Sequence, residues 1–315
     1  MAYPWTPLPC SPKVSAMNRL RQWITALALS AAAASAQLSS QSKVLVVTGG
    51  HDFDANAFDG LWQSTGAKIE KRALAVGHEV FENVSDWDYD ILVFYNHQNP
   101  GNSLTEKHKQ NFRALLEKGV GMFVLHHSVA AYPFFPEFET MAGGKYRSSA
   151  YYQDNLSTYK IPVNINCKVN KPGDPAAAGL PAQFTVNDEI YLKMTFASDN
   201  NVVVTTDYPE SDGPIAWTRK AGNSRVFTTI LGNGSSIFSN ASFRTLVKNG
   251  LNYVLPCGEG DTRSECPTVS LGRPRTSRKQ RAPFGLLPGR GAELGEAAFG
   301  YTVDGRALPI LLPGR

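Results

Sequence analysis

Cysteine is scarce in this chain of 315 residues, with four in all. Cys10 falls in a leader-like stretch, and Cys257 and Cys266 are spaced to close a small disulfide loop, which is permitted outside the cytoplasm. Cys167, on an expected strand, reads as a small buried residue rather than a nucleophile. No GxGxxG follows the first buried strand, so the dinucleotide fingerprint is missing. No HxH or HExxH spacing marks a metal site, and no GxSxG elbow marks a serine hydrolase. Long apolar runs are missing too. The longest, Trp23 to Ala33, is too short for a stable membrane span.

That run is the h-region of an expected secretory signal peptide. Met17 is a plausible start, Asn18 to Arg21 the basic n-region, and Ala34-Ser35-Ala36 the small-residue cleavage site before Gln37. Residues 1–16 then read as an over-extended start, and the protein is expected to be secreted or periplasmic. No Cys follows the cleavage motif, so no lipid anchor is indicated.

Charge is uneven. Residues 267–315 hold eight basic and three acidic residues, and residues 1–36 three basic and none acidic. The overall +4 therefore leaves residues 37–266 at −4. A mildly acidic domain disfavours nucleic acid as a partner. The tail from 256 to 315, basic and rich in Pro, Gly and Arg, reads as a flexible appendage. Its end, YTVDGRALPILLPGR, reads as either a short β-hairpin or a degenerate sorting tail.

What is present is a repeated α/β grammar. Ser103 and Glu106 have capping-box spacing, Phe112, Leu115 and Leu116 share a helical face, and Gly119 stands where a left-handed cap belongs. Met122 to Leu125 then reads as a central parallel strand, uniformly apolar because both its faces are covered. It ends in His126 and His127. Lys43 to Thr48 and Ile91 to Tyr95 are similar buried strands, ending at Gly49-Gly50-His51 and at Asn96-His97-Gln98. In such sheets ligands sit at the carboxyl ends of strands. Tyr132, Phe134, Phe135 and Phe138 read as a lid over those ends or as core. Asn240 is expected to cap a last helix with Phe243, Leu246, Val247 and Leu251 on one side.

The ordered set GGHDF (Gly49 to Phe53), YDILVFYN (Tyr89 to Asn96), LEKGVGMFVLHHSVAAY (Leu116 to Tyr132), NDEIY (Asn187 to Tyr191), PIAWTRKAGNSRVFTTILGN (Pro214 to Asn233) and FRTLVKNGLNYV (Phe243 to Val254) resembles the ThuA-like, trehalose-utilisation family over residues 43–255. The resemblance implies an α/β fold, a three-layer αβα sandwich with a mostly parallel central sheet, of the flavodoxin-like, class I glutamine-amidotransferase-like kind. It also implies a carbohydrate ligand, with processing of disaccharides or their 3-keto derivatives. Two departures stand out: the family usually has Leu-Gly-His where this chain has Leu231-Gly232-Asn233, and often His-Pro where it has Asp174-Pro175. Asn cannot titrate.

Glutaminases of the parent fold need a Cys at the strand-to-helix elbow. Here the elbow holds His126, His127 and Ser128, so glutaminase activity is not expected. Successive residues leaving a strand point opposite ways, so His126 is expected to pack against the neighbouring strand and His127 to face the cleft. The expected acid/base set is His127 and Glu189, with His126 beside them. His51, Asn96 and Asn233 are expected to bind substrate, and Tyr132, Tyr191 and Trp217 to form a sugar-stacking wall. A divalent metal on His51, His127 and Glu189 is a further reading. Adjacent Asp188 and Glu189 are poorly placed to flank one bond as a glycosidase pair. A non-catalytic carbohydrate-binding module is the alternative, and Asn233 in place of His is the feature that favours it.

Overall fold

The structure is a computed structural model that describes residues 37–257 and two short strands, Phe299–Tyr301 and Ala307–Pro309. It divides into two compact units, 1–269 and 270–315. In the second, the two short strands pair antiparallel. The expected signal peptide and Cys266 lie outside the described residues. Cys257 is disulfide-bonded, and Cys167 is free and buried. Among the described residues no helix is long and apolar enough to cross a membrane.

The first unit is built on one nine-stranded sheet. Its strands are β1 (Lys43–Gly49), β2 (Lys68–Ala73), β3 (Ile91–Asn96), β4 (Gly121–Leu125), β6 (Thr158–Val169), β7 (Gln183–Leu192), β9 (Asn201–Thr206), β10 (Pro214–Ala221) and β11 (Ser224–Thr229). Two-residue strands β5 (Gly144–Lys145) and β8 (Thr195–Phe196) pair separately. The helices are α1 (Ala55–Gln63), α2 (Glu106–Lys118), α3 (Pro136–Ala142), α4 (Ser235–Ser239) and α5 (Ala241–Val254).

Across the sheet the order is β2-β1-β3-β4-β11-β10-β9-β6-β7. The first five run parallel. The remaining four contacts are antiparallel. Four reversals bring β7 back to the direction of β11, so its carboxyl end lies at the same edge as those of β1, β3 and β4. Alternation sends Phe94 toward Phe138 of α3 and Tyr95 toward Phe58 of α1 and Phe238 of α4. Helices therefore cover both faces, giving the three αβα layers of an α/β sandwich.

The start of α2 differs from expectation. Thr105 is the N-cap, its hydroxyl accepting from the His108 N–H while His108 Nδ1 accepts from the Thr105 N–H. Ser103 is unavailable because its hydroxyl donates to Pro100 O at 2.6 Å within a preceding 3-10 turn. Gly119 closes the helix at φ 81°, and Asn240 caps α5 by accepting from the Phe243 N–H.

Candidate functional site

The carboxyl edge opens into a cavity of about 470 Å³, within the roughly 300–1,000 Å³ of small-molecule sites. Three of its walls come from parallel strands: His51 after β1, His97 after β3, and His127 with Ala130 after β4. Glu189 and Tyr191 arrive from β7, Asn233 from the turn after β11. Tyr159 and Ile161 of β6 and Tyr146 and Ser148 after β5 complete it. The β6–β7 hairpin reaches the cavity because β6 pairs with β9 only over Cys167–Val169, so the rest of the hairpin continues past that pairing.

Glu189 pairs with His126 rather than His127. His126 follows β4 at φ 52° in a tight turn, a left-handed geometry in which the extended strand ends. Its ring is fully buried. Nδ1 meets the Ile230 carbonyl at 2.8 Å, and since a carbonyl only accepts, Nδ1 carries a proton. Nε2 faces the Tyr191 hydroxyl at 3.1 Å, Asn233 Oδ1 at 3.3 Å and Glu189 Oε2 at 3.4 Å. Burial opposes the charged imidazole, but the Glu189 carboxylate, the Asp188 charge and the Ile230 carbonyl together hold its pKa above the ordinary value. The Tyr191 ring stacks on His126 at 5.0 Å, and burial followed by the Glu189 and Asp188 charges raises its phenol's pKa well above the ordinary value.

Behind this pair, buried Asp188 accepts from the Gly232 N–H at 2.7 Å and the Asn233 N–H at 3.0 Å. The carboxylate thus shapes the turn that presents Asn233. Burial raises its pKa despite the His126 charge and these hydrogen bonds. Gly232 sits at φ 134°, and a Cβ there would stand 3.2 Å from the His126 Cβ; only glycine lets the turn lie this close.

The opposite wall is imidazole. His127 and His51 stack at 4.4 Å with 20° between planes, and His97 lies 5.8 Å from His127. Neither nitrogen of His127 has a hydrogen-bond partner, although the Tyr95 carbonyl is near; nor does His51 Nδ1. Burial, followed by the neighbouring His126, His51 and His97, pushes the pKa of His127 far down. Burial, then His51 and His126, lower that of His97. Rings stacked face to face do not aim their edges at one ion as tetrahedral ligands do. Among the described residues no group of three or more His, Cys, Asp or Glu side chains is placed to hold a metal ion.

Three expected substrate contacts lie elsewhere. Trp217 is fully buried, donating Nε1–H to Ala142 O at 2.8 Å. Tyr132 is equally buried, its hydroxyl donating to Gly77 O and accepting from Asn96 Nδ2. Asn96 is thereby spent on Tyr132 and does not line the cavity. The indole, the phenol and the Asn96 amide nitrogen are core polar groups with partners, the usual condition of buried hydrogen-bonding atoms, whereas Asn96 Oδ1 has none. Of the expected aromatic lid, Tyr132, Phe135 and Phe138 are core, and Phe134 alone is exposed. Asp174 caps a 3-10 turn and accepts from Asn201, away from the cavity, so the Asp-Pro departure does not touch the site. Ser128 Oγ accepts from the Asn96 N–H and donates to Asn96 O, tying β3 to the elbow.

Sequence reasoning passed over His97, Asp188, Tyr146 and Tyr159 as site residues. His97 was findable, since the strand-end rule that selected Asn96 applies one residue later, where the side chain turns to the other face. Asp188 carried no signal beyond its adjacency to Glu189.

Comparison with known proteins bears on the fold and the family. The structure is similar to a putative ThuA-like protein from Parabacteroides merdae, with a TM-score of 0.55, 18% identity, and 68% of this chain and 90% of that one covered. It is similar to another from Bacteroides uniformis, with a TM-score of 0.52, 18% identity, and 69% and 93% covered. At that identity the likeness shows the fold alone. No curated protein matches the chain significantly. The profile of the ThuA family, described as trehalose utilisation, matches residues 43–254. With that match spanning well over half of its length, the chain belongs to the ThuA family.

Proposed function

We propose that this protein processes disaccharides or their 3-keto derivatives at the carboxyl-edge cavity, with Glu189 and His126 as the acid/base pair. The observation that carries the reading is Glu189 at the cavity wall, held 3.4 Å from a buried His126 whose other nitrogen is fixed on Ile230. On a 3-keto glycoside, the proton at C2 is acidified by the neighbouring carbonyl. Glu189 removes it, the electron pair moves to the C3 oxygen as an enolate, and collapse of the enolate expels the glycosidic oxygen from C1. Tyr191 lines the cavity and meets His126 Nε2, so it can pass a proton from His126 to the departing oxygen. Water adding across the resulting double bond completes a net hydrolysis. The neutral imidazole of His97 accepts hydrogen bonds from sugar hydroxyls, and the buried His127 ring packs behind it.

The second reading is a carbohydrate-binding module. It is favoured by Asn233, which stands beside His126 and cannot titrate. An exported location belongs to the same proposal and rests on the Met17 to Ala36 pattern.

The test is mass-spectrometric product analysis of the purified protein with trehalose, other disaccharides and their 3-keto forms, beside Glu189→Gln. Product from wild type that disappears in the variant is expected. Sugar bound without product from any of them would sink the enzyme reading in favour of the binding module.

A further inference from the structure

One group of aromatic side chains is used by neither the core nor the chemistry above. Phe134 is 66% exposed, more than any other large hydrophobic residue among those described, while Tyr132 and Phe135 on either side are buried. Its φ of 68° is one that a bulky side chain adopts only at a cost. The Phe134 ring meets Tyr152 at 5.7 Å and Tyr151 edge-on at 6.4 Å. The Arg147 guanidinium lies 4.2 Å over the Tyr152 ring and pairs with Asp154 at 3.1 Å. The loop bearing these rings is closed at its neck, where the Arg147 N–H donates to Ser157 Oγ and the Ser157 N–H to Arg147 O. Rings held this way have little freedom left to lose on binding.

The patch begins where the cavity ends. The N–H groups of Tyr151 and Tyr152 both donate to Ser148 O at 3.0 Å, and Ser148 lines the cavity. Its occupant is constrained by size and chemistry. Three partly exposed rings, each of about 150–250 Å² in full, fall short of the roughly 800 Å² per partner of a stable protein interface. Arg147, Asp154 and the tyrosine hydroxyls also interrupt the apolar surface that a lipid would need. A pyranose ring suits both features, with a C–H face to lay on the negative face of an aromatic ring and hydroxyls at its rim for the polar groups.

We infer that Phe134, Tyr151 and Tyr152 form an outer subsite, stacking further sugar rings of an oligosaccharide whose end occupies the cavity. This rests on the carbohydrate reading above. The test is calorimetric titration of the full chain with glucose oligomers of two to five units, in α- and β-linked series. Affinity is expected to rise about tenfold with length in at least one series. Phe134→Ala, Tyr152→Ala and Phe134→Gly, the last of which accepts the backbone angle without strain, are expected to erase that rise. The disaccharide reports whether the cavity is intact. Affinity that is flat with length, or a rise the variants leave unchanged, overturns the subsite while the disaccharide still supports the cavity reading. Binding of no saccharide by wild type overturns both. A dimer in sedimentation that Phe134→Ala converts to monomer assigns the patch to a second copy and also overturns the subsite.

Discussion

The parallel and antiparallel halves of the sheet meet the cavity with different chemistry. From β1, β3 and β4 come His51, His97 and His127, packed so closely that burial and mutual repulsion keep His97 and His127 low in proton affinity. From β7 come Asp188 and Glu189, whose charges help hold His126 higher than usual, and Tyr191, which stacks on its ring. Both histidines of the elbow are buried and adjacent, yet their proton affinities move in opposite directions. What separates them is which half of the sheet each ring touches: His127 stacks on His51, and His126 on Tyr191. One wall is thus an imidazole surface of low proton affinity, and the other a carboxylate wall that raises the proton affinity of its imidazole. Groups whose environments drive their proton affinities apart are the usual mark of an acid/base site.

The largest effect expected from breaking this contrast is on turnover. Glu189→Gln keeps size and polarity but removes the base, so kcat is expected to fall at least about 100-fold. His127→Phe removes an imidazole that resists protonation and transfers no proton in this reading, and is expected to raise KM more than it lowers kcat. Steady-state kinetics on the substrate identified by product analysis checks the pair. A His127→Phe loss in kcat as large as that of Glu189→Gln would move the acid/base role to the parallel wall.

Next in size is a stability effect confined to the carboxylate wall. Asp188 is buried and bonded to two backbone N–H groups of the turn after β11. Asp188→Ala leaves both donors without their acceptor, at a cost of about 3 kcal/mol. Urea unfolding checks this. A change below about 0.5 kcal/mol would mean that the turn holds itself.

The two walls also differ in pH dependence. His97 and His127 have folded pKa values below the unfolded value of about 6.5. Their contribution is full above that pH and is lost as the pH falls toward the folded values, because the unfolded chain then binds more protons. His126 runs the other way, its contribution present below about 6.5 and lost as pH rises through its raised folded value. The urea midpoint is expected to drop between about pH 6.5 and 5, and His127→Phe to flatten that drop. An unchanged slope in the variant would exclude His127 as its source.

Much of the parallel half was legible because its strands are buried on both faces and read as unbroken apolar runs, as in Lys43 to Thr48 and Met122 to Leu125. The strand-end rule then pointed to His51 and His127, which do line the cavity. The pairing across the site was not legible. Strand alternation puts His126 against the neighbouring strand and His127 at the cavity, where both are found, but it does not say that Nε2 of the buried ring meets Glu189. Nor does sequence say whether β7 reaches the cavity, since that depends on how little of β6 pairs with β9. Aromatic side chains were ambiguous for a plainer reason. A ring that stacks on sugar and a ring that fills a core have the same composition and the same neighbours in sequence.

Trp217 makes that last point testable, with the smallest expected effect. It was a natural member of a sugar-stacking wall, but its ring packs edge-on to Phe196 at 5.3 Å and its Nε1–H is spent on Ala142 O. Thr228 Oγ1 donates to the same carbonyl at 2.9 Å, so that acceptor keeps a partner when the indole is removed. Trp217→Phe therefore loses ring volume and one hydrogen bond without orphaning a buried group. The expected cost is about 2 kcal/mol in urea unfolding, with saccharide affinity by calorimetry unchanged. A loss of affinity at retained stability would return Trp217 to the sugar site and undo the division between a binding edge and a core that only resembles one.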